Sequence, residues 1–504
     1  MAEAANVSRP ERIVILGGGM AGLTTALALE HSGFEITIVE RDPAPPDIDP
    51  AHAFELWKRP GVPQLRHTHI FLARFQSILR KHHPALLQEL EQAGVVRGSM
   101  EQLLSGPLAD HYVHEPGDED LLHLWGRRAT LEYVLRRHVE RLGHVRFVHE
   151  HTIDRIVARR QAGRLTVSGV DAHGAAGSVH FEAELVVDCT GRRSTSIDWC
   201  RSEGVPIRPE RVTSGCGYYC QHFAQRSDEP EPPRRGTGAT LDYLVFGIFF
   251  AENDTFSIAI TCPEDERGLL SRLKRADGFA EICQQIPVLQ RWVSRAEPIS
   301  RVLGGADLAN QWQHFPKARA AQPLGFFPVG DSYIQTNPIY GRGCSSAFVQ
   351  AHALADALRA SRDPASRSLH YHRRVWTQLR PYFRFCVSAD KIFLARASQA
   401  RGEPIAWADR VLSRIFEAAF LPAIEESGWV AREWLKAQQM AELSSAWRAM
   451  HMLAYMGWRW LVRAASGARR LVSPIGPARA QMLQACLPPN VDRQPEPDQA
   501  LRRG

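Results

Sequence analysis

The sequence predicts an α/β fold that combines a Rossmann-like βαβ unit with an inserted β-rich domain and a helical C-terminal region. Three observations predict this fold. A short apolar strand at residues 13–16 ends in three glycines and is followed by a helix rich in Ala and Leu. β-rich runs occupy much of residues 201–320, and nearly all of the chain after residue 346 has helical periodicity.

The composition is that of an ordinary globular protein, with 44% hydrophobic and 23% charged residues among 504. No uncharged apolar stretch reaches the roughly 18 residues that a transmembrane helix needs. The N-terminus lacks the basic and apolar regions of a secretory signal. Nine scattered cysteines without a Cys-x-x-Cys pair favour a reducing compartment and predict no metal site. We therefore expect a cytoplasmic protein.

Basic residues are concentrated at the C-terminal end of the chain, although the net charge is only +6. Residues 361–504 carry 22 basic and 12 acidic side chains, whereas the rest of the chain carries 39 and 43. No nucleic-acid recognition motif accompanies the basic segment, so we do not expect a nucleic-acid partner.

A glycine-rich turn, Gly17-Gly18-Gly19-Met20-Ala21-Gly22, connects the first strand to its helix. Gly17 permits the tight turn, Gly19 lets the backbone approach a pyrophosphate, and Gly22 permits close packing of the helix on the sheet. Free N–H groups at the helix N-terminus can bind the phosphates. The next strand ends at Glu40, whose carboxylate can accept hydrogen bonds from ribose hydroxyls. The predicted dinucleotide-binding residues are Gly17, Gly19, Met20, Ala21, Gly22, Glu40 and Arg41.

Two later strands favour a flavin nucleotide over NAD. The first runs into Asp188-x-x-Gly-Arg. The second, at residues 325–329, runs into Gly330-Asp331, a proline loop and a Gly-x-Gly that begins a helix. The Asp331 carboxylate can accept from ribityl hydroxyls, and the amides of residues 341–345 can face the N1/O2 edge of a reduced isoalloxazine. We therefore predict FAD, bound by Asp331, Pro338, Gly341, Gly343, Cys344 and Ser345.

Together these motifs resemble those of the FAD-dependent monooxygenases with the p-hydroxybenzoate hydroxylase fold, whose FAD-binding domain is of the glutathione-reductase type. In that family an Asp is followed seven residues later by Pro and then by Gly-x-Gly, and the residues from Asp331 to Gly343 match this spacing. The family's FAD-contacting Arg at the start of a helix matches Arg128. A branch that includes polyene epoxidases of polyether antibiotic pathways is similar in residues 61–69 and 337–341. The resemblance covers about residues 10–360.

The resemblance implies an FAD-dependent monooxygenase of secondary metabolism. Reduced FAD would react with O2 to give a flavin C4a-hydroperoxide, which hydroxylates or epoxidises an apolar or aromatic small molecule. No catalytic acid or base is predicted. Asp188-Cys189-Thr190-Gly191 replaces the Asp-Gly pair usual in enzymes that reduce their own flavin, and Ile334 replaces a common His. The electron source is therefore either NAD(P)H or a separate flavin reductase.

Three other functions remain open: an FAD-dependent reductase or dehydrogenase of the same fold, a flavin-dependent halogenase, and a non-catalytic FAD-binding protein. Halogenases resemble one another in a Trp-x-Trp-x-Ile-Pro motif and an active-site Lys. The sole Trp-x-Trp, at Trp458 and Trp460, comes far too late in the chain. Neither Lys58 nor Lys81 has a halogenase setting, so halogenation is disfavoured.

The segment Arg66-His67-Thr68-His69 is interpreted as a loop over the flavin, with Arg66 near its phosphates or ribityl chain. A loop that serves only packing is the alternative. The two histidines lack the third ligand of a metal site. The aromatic residues of segments 215–220 and 243–250 either line a substrate pocket or form core.

The pattern of residues 443–472 predicts an amphipathic helix, and this segment lacks acidic residues. We expect its apolar side to cover the substrate cleft or to contact a membrane peripherally, whereas packing on the FAD-binding domain with a solvated Arg side is the alternative. One side carries Arg448, Arg459, Arg463 and Arg470, opposite Met450, Leu453, Ala454, Trp460 and Leu461.

The predicted domain organisation follows from the order of these motifs. Residues 1–200 and 321–360 form an FAD-binding domain in two parts, residues 201–320 form the substrate domain with an antiparallel sheet, and residues 361–504 form the helical region.

Overall fold

The computed structural model describes residues 10–487 except 105–107, 109–111, 162, 227, 229, 442–445 and 467–474. Its strands are β1 Arg12–Leu16, β2 Glu35–Val39, β3 Ile70–Phe71, β4 Val96–Gly98, β5 His123–Trp125, β6 Val145–Val148, β7 Thr152–Gln161, β8 Arg164–Gly174, β9 Gly177–Glu182, β10 Leu185–Asp188, β11 Arg208–Thr213, β12 Cys216–Gln225, β13 Gly238–Thr240, β14 Val245–Ala251, β15 Thr255–Pro263, β16 Ala296–Pro298, β17 Leu303–Gly305, β18 Ala309–His314, β19 Phe326–Pro328 and β20 Ile334–Gln335.

The α-helices lie between and after these strands. They are α1 Met20–Ala28, α2 Ala53–Leu56, α3 Ala73–His82, α4 Pro84–Gln92, α5 Met100–Leu103, α6 Arg128–Glu140, α7 Ser196–Ser202, α8 Arg267–Leu273, α9 Ala276–Gln284, α10 Pro287–Val293, α11 Gly343–Ala360, α12 Pro364–Ala400, α13 Trp407–Ile415, α14 Leu421–Glu426, α15 Gly428–Gln438, α16 Ala446–Ser466 and α17 Arg479–Cys486. A π-helical turn at Phe416–Phe420 joins α13 to α14.

A five-stranded parallel sheet in the order β19-β10-β1-β2-β6 forms the centre of the fold. The residues of β1 are almost wholly apolar because both faces of the sheet are covered. β19 comes from residues far along the chain and pairs with β10, so the sheet draws on both predicted FAD-binding segments. The predicted α/β fold class is confirmed, whereas the exact domain boundaries stay predictions.

A second, antiparallel sheet lies within the predicted substrate domain. Its strands run in the order β13-β14-β15-β12-β16, and β17 also pairs with β12. A hairpin connects β14 and β15 through a turn in which Asn253 and Asp254 have positive φ, a conformation that these residue types tolerate. One face of this sheet packs against the short helices α8–α10. The opposite face carries Tyr218, His222 and Ser257.

The sequence pattern of residues 71–93 predicts a single helix, and this prediction is wrong in detail. Residues Ile70–Phe71 form the short strand β3, and two helices, α3 and α4, follow it. Pro84 occupies the first turn of α4, where its missing N–H costs nothing, but its ring prevents α3 from continuing.

The helix α16 differs in two respects from the predictions made for residues 443–472, and the predicted membrane contact stays a prediction. It packs on α14 and α15 through Met452, Tyr455 and Met456. Arg459 pairs with Glu426, so the predicted solvated arginine side is wrong at this position. The predicted covering of a cleft by the apolar side is also wrong, because that side is exposed. The side chains of Arg463 and Arg470 lie outside the described part of the chain.

Among the described residues, no helix combines the length and the apolar character needed to cross a bilayer.

Candidate functional site

The glycine motifs of the sequence meet at the C-terminal edge of the parallel sheet. Gly17 has a φ of 94°, and a Cβ there would lie 3.0 Å from the carbonyl oxygen of Cys189 in the loop after β10. Gly330 has a φ of 80°, and its Cβ would lie 2.7 Å from the Ala21 Cβ. Both positions therefore require glycine. The fold thus brings together the three segments that the sequence assigned to the nucleotide.

The N-terminus of α1 has the form of a phosphate-binding site. Its N-cap residue, Gly19, makes no side-chain cap, and a Cβ built on Gly19 would meet no protein atom within 4 Å. A Cβ on Gly22 would lie only 2.0 Å from the carbonyl oxygen of Gly17, so glycine there permits the close packing of α1. Free N–H groups beside open space fit a pyrophosphate, as predicted for Gly19.

Glu40 lies at the end of β2 in a buried network of charges. Its Oε2 accepts hydrogen bonds from the Gly18 N–H at 2.8 Å and from Arg59 Nη2 at 2.6 Å. The same guanidinium binds Asp42 and Glu132, each at 2.8 Å. Each carboxylate oxygen has two lone pairs, so Glu40 keeps acceptor capacity, and its contact with a ribose stays a prediction.

The helix α6 contributes a charged row that sequence reasoning noticed only at its first residue. Arg128, Glu132, Arg136 and Glu140 follow one another at i, i+4 spacing, which places them on the same side of a helix. Arg128 Nε lies 3.0 Å from Glu132 Oε2, and Arg136 Nε lies 3.0 Å from Glu140 Oε1. The regular alternation of sign at this spacing was the signal that could have found them.

The Asp331 carboxylate lies beside the N-terminus of α11, and we call this part of the site the flavin end. Within the described residues it makes no hydrogen bond to a protein group. Burial raises its pKa, against the opposing effect of the Arg128 and Arg192 guanidinium groups. The Cys344 thiol lies in the same environment, where burial raises its pKa to about 11. A half-buried acceptor without a protein donor fits the hydroxyl groups of a ribityl chain.

The N-terminus of α11 offers a second set of free backbone donors. Arg342 at its N-cap makes no side-chain cap, and the buried Ser345 hydroxyl has no hydrogen-bond partner among the described residues. Gly341 has a φ of 64°, and its Cβ would lie 2.7 Å from the Ile70 Cγ2. Gly343 is exposed beside Asp331. These donors fit the electron-rich edge of an isoalloxazine, the contact predicted for residues 341–345.

The proline loop before α11 is held by a buried carboxylate on α12. Asp390 accepts hydrogen bonds from Asn310 Nδ2 at 2.7 Å, Asn337 Nδ2 at 2.9 Å and the Tyr340 hydroxyl at 2.7 Å. Pro338 itself is exposed between two of these anchors. Sequence reasoning missed Asp390 because its partners come from distant parts of the chain.

The loop at residues 66–69 lies across the face of the antiparallel sheet that does not pack on the helices α8–α10. The His67 Nδ1 contacts the Tyr218 hydroxyl, and the Thr68 hydroxyl contacts that of Ser257. The His222 Nε2 lies 2.9 Å from the carbonyl oxygen of Arg66. Because the sheet residues in these contacts share one face, the loop is positioned between the sheet and the flavin end.

The Arg66 side chain has a different setting from the one predicted. Its guanidinium donates to the backbone carbonyls of Phe54, Glu55 and Trp57 at 2.7, 3.3 and 3.2 Å. These contacts tie two loops together, as in the packing alternative, and leave the predicted phosphate or ribityl contact without support. Arg41, also predicted at the nucleotide, is exposed.

The two histidine side chains of this loop, His67 and His69, are neutral at neutral pH. Burial, reinforced by Arg128 and Arg192, lowers the pKa of His67 to about 4. Burial and Arg128 lower the pKa of His69 well below its usual value. The His69 Nε2 lies 3.4 Å from Arg128 Nη1, where a neutral imidazole can accept a hydrogen bond.

The same face of the sheet is lined by small and apolar side chains beyond this loop. Val245, Gly247 and Phe249 alternate on β14 and pair with Thr261, Ala259 and Ser257 on β15. A Cβ on Gly247 would lie 2.8 Å from the Phe249 ring. Tyr219 and Tyr243, by contrast, belong to the core on the other side. Core packing therefore holds for most of these aromatics, whereas Tyr218 lies on the face that contacts loop 66–69, where pocket lining stays a prediction.

Lysine is absent from the site. The chain has six lysines. The lysines considered for halogenation, Lys58 and Lys81, are both exposed, and Lys436 pairs with Glu433. The other three, Lys274, Lys317 and Lys391, are exposed as well.

Comparisons with known proteins agree with this geometry. Residues 12–109 match the family model described as FAD dependent oxidoreductase. Protein Rv3254 of Mycobacterium tuberculosis is 28% identical over 371 residues, which cover 69% of this chain and 73% of that protein.

Two solved structures share the fold at low sequence identity. The flavin-dependent brominase Bmp2 has a TM-score of 0.57 at 15% identity, covering 91% of this chain and 100% of that chain. The p-nitrophenol 4-monooxygenase PnpA from Pseudomonas putida DLL-E4 has a TM-score of 0.56 at 14% identity, covering 86% and 99%. The fold is therefore one that a flavin-dependent brominase and a monooxygenase share, and residues 12–109 of this chain match the model of FAD dependent oxidoreductases.

Proposed function

We propose that this chain is an FAD-dependent monooxygenase that hydroxylates or epoxidises an apolar or aromatic small molecule. The observation that carries the proposal is that loop 66–69 contacts both Arg128 at the flavin end and one face of the antiparallel sheet. The neutral side chains of His67 and His69 lie there beside small and apolar side chains of the sheet, and no lysine is present among the described residues of this region.

Reduced FAD supplies the chemistry that activates O2, and one oxygen atom of O2 is transferred to the substrate. The chain's own residues hold and orient the cofactor. The amides at the N-termini of α1 and α11 bind its negatively charged groups, and the Asp331 carboxylate accepts from its ribityl chain. Arg128, fixed by Glu132, balances the charge of Asp331.

The loop 66–69 and the sheet exclude water from the reacting atoms. Contacts with Tyr218, Ser257 and His222 hold the loop against the sheet. An apolar wall favours a substrate that loses little hydration on binding. No ionised acid or base is needed for transfer of an electrophilic oxygen atom, which agrees with the neutral state of His67 and His69.

Two finer parts of the proposal depend on sequence resemblance. Segments 61–69 and 337–341 support a polyene epoxidase of the polyether type as the closest reaction. The electron source is NAD(P)H or a separate flavin reductase, and we propose the small molecule and O2 as the other partners. The protein therefore acts in secondary metabolism.

Anaerobic reduction followed by exposure to O2 tests the function. The FAD-loaded protein is mixed with NADH, NADPH, or NADH and a flavin reductase, and flavin absorbance reports reduction. O2 is then admitted with polyenes, phenols or no substrate, and both O2 consumption and H2O2 release are measured.

A monooxygenase reoxidises rapidly in O2 and releases less H2O2 when its substrate is present. Reoxidation by quinone but not by O2 would show a dehydrogenase. Product formation that requires bromide or chloride would show a halogenase.

A further inference from the structure

The helices α13 and α16 expose apolar surfaces that the proposed oxygenation does not use. On α16 the side that packs on the protein consists of Met452, Tyr455 and Met456. The opposite side is apolar as well, and its Leu453 and Trp460 are 62% and 50% exposed. A helix that is apolar on its packed side and apolar on its exposed side has a second surface to bury.

The helix α13 has the same character. Trp407, Val411 and Ile415 follow one another at i, i+4 spacing, and Leu412 lies beside them. Trp407 is 76% exposed, and Leu412 and Ile415 are about half exposed. Because α13 continues through the π-helical turn into α14, on which α16 packs, both exposed faces belong to one helical unit.

We propose that these two faces dock the protein peripherally on a membrane surface that contains anionic lipid. Charge selects lipid over a second copy of the chain. Arg410 and Arg414 are exposed on α13, whereas Arg448 and Arg459 of α16 pair with Glu433 and Glu426. Two copies would bring like charges together, whereas anionic headgroups complement them.

The side-chain types also fit the boundary between lipid and water. Trp407, Trp458 and Trp460 are all exposed, and tryptophan favours the headgroup region of a bilayer. Aliphatic side chains between them can enter the acyl boundary while Arg410 and Arg414 contact phosphates. The proposal does not depend on which reaction the flavin site catalyses.

Vesicle co-sedimentation tests the proposal on the FAD-loaded, full-length protein. The vesicles are phosphatidylcholine alone, or phosphatidylcholine with phosphatidylglycerol, each at low and high NaCl. The protein should bind the mixed vesicles at least about tenfold more strongly than the neutral ones, and salt should weaken this binding.

The double variant Leu453→Glu/Leu461→Glu should reduce binding to mixed vesicles by at least about tenfold, because it places charge on the face that enters the lipid. Both side chains are exposed, so folding and flavin content should not change. The matched control is Ile299→Glu, an exposed apolar residue on the substrate domain, which should bind like the wild type.

The proposal is overturned if the wild type does not bind mixed vesicles, or if the double variant binds them as the wild type does. It is equally overturned if the same variant instead abolishes a dimer seen by sedimentation velocity while vesicle binding is absent. That outcome would assign the faces to a second copy of the chain.

Discussion

The nucleotide-binding end and the helix α16 use the same residue types in opposite ways. At the nucleotide-binding end, Arg59 is buried and contacts three carboxylates, and open space lies in front of Gly19. On α16, arginine turns toward the protein and apolar side chains face outward. The comparison teaches that backbone N–H groups beside open space indicate a ligand, whereas apolar side chains exposed to solvent indicate a surface partner.

The largest effect is expected where only the ligand constrains the backbone. Gly19→Val should reduce FAD affinity by on the order of a hundredfold or more, because its side chain would fill the space left for the pyrophosphate. The apo-protein should fold normally, since a Cβ at this position meets no protein atom within 4 Å. Flavin absorbance after gel filtration measures the bound fraction.

Gly143→Val is the matched control, because a Cβ there also meets no protein atom and the residue follows α6 away from the motif. Full FAD occupancy in Gly19→Val would contradict the assignment of the space in front of Gly19 to the pyrophosphate.

The buried charges of the nucleotide-binding end should matter more for stability than exposed ones. Glu132 is fully buried and contacts both Arg59 and Arg128. Glu132→Gln leaves these guanidinium groups partly uncompensated and should lower the free energy of unfolding by about 3–5 kcal/mol. Urea denaturation measures this change. The exposed partner of Arg12 provides the control, since Glu182→Gln should cost less than about 1 kcal/mol.

Sequence patterns predicted the nucleotide-binding end well because each signal there is local. Gly17 and Gly22 are required by contacts within a few residues or with the adjoining strand loop, and the spacing of the motif encodes those contacts. Gly341 is likewise marked by its place in the motif and its φ of 64°, although Ile70, which it approaches, is distant in the sequence.

The remaining features depend on partners that are distant in the sequence. Asp390 meets its three donors only after α12 has folded onto the sheet strand β18. Periodicity showed that α16 has two different sides, but it could not show which side the protein would take. Arg459 pairs with Glu426 only because α14 lies beside it.

A smaller effect is expected at the flavin end. Asp331→Ala removes an acceptor that has no protein donor among the described residues, so the apo-protein should lose no stability. FAD affinity should fall about ten- to a hundredfold, which corresponds to the 1.5–3 kcal/mol of a hydrogen bond to a charged group. Flavin titration and thermal unfolding of the apo-protein measure the two quantities. If stability falls and occupancy does not, Asp331 serves the fold and not the flavin.

The smallest effect concerns the contact between the C-terminal helices and the rest of the protein. Asp118, before β5, binds Arg432 of α15 at 2.8 Å. Burial opposes ionisation there, but hydrogen bonds from Arg432 and Tyr112 lower the pKa of Asp118 to about 2, below its usual value of 3.8.

The ionised Asp118 therefore stabilises the folded protein above about pH 4, and this stabilisation is lost as the pH falls through 2. Asp118→Asn should be less stable than the wild type at pH 7, and the difference should shrink between pH 4 and pH 2. Urea denaturation across this range measures it. A difference that does not depend on pH would mean that Asp118 acts through packing alone.

Isotope labelling tests the proposed oxygenation most directly. The FAD-loaded protein is reduced without oxygen, mixed with a polyene or phenol substrate and exposed to ¹⁸O2, and the product is analysed by mass spectrometry. The proposed function predicts that one ¹⁸O atom enters each product molecule, and that the Gly19→Val protein, which lacks bound FAD, forms no product. Product whose new oxygen comes from water, or substrate oxidation that proceeds equally well without O2, would contradict it.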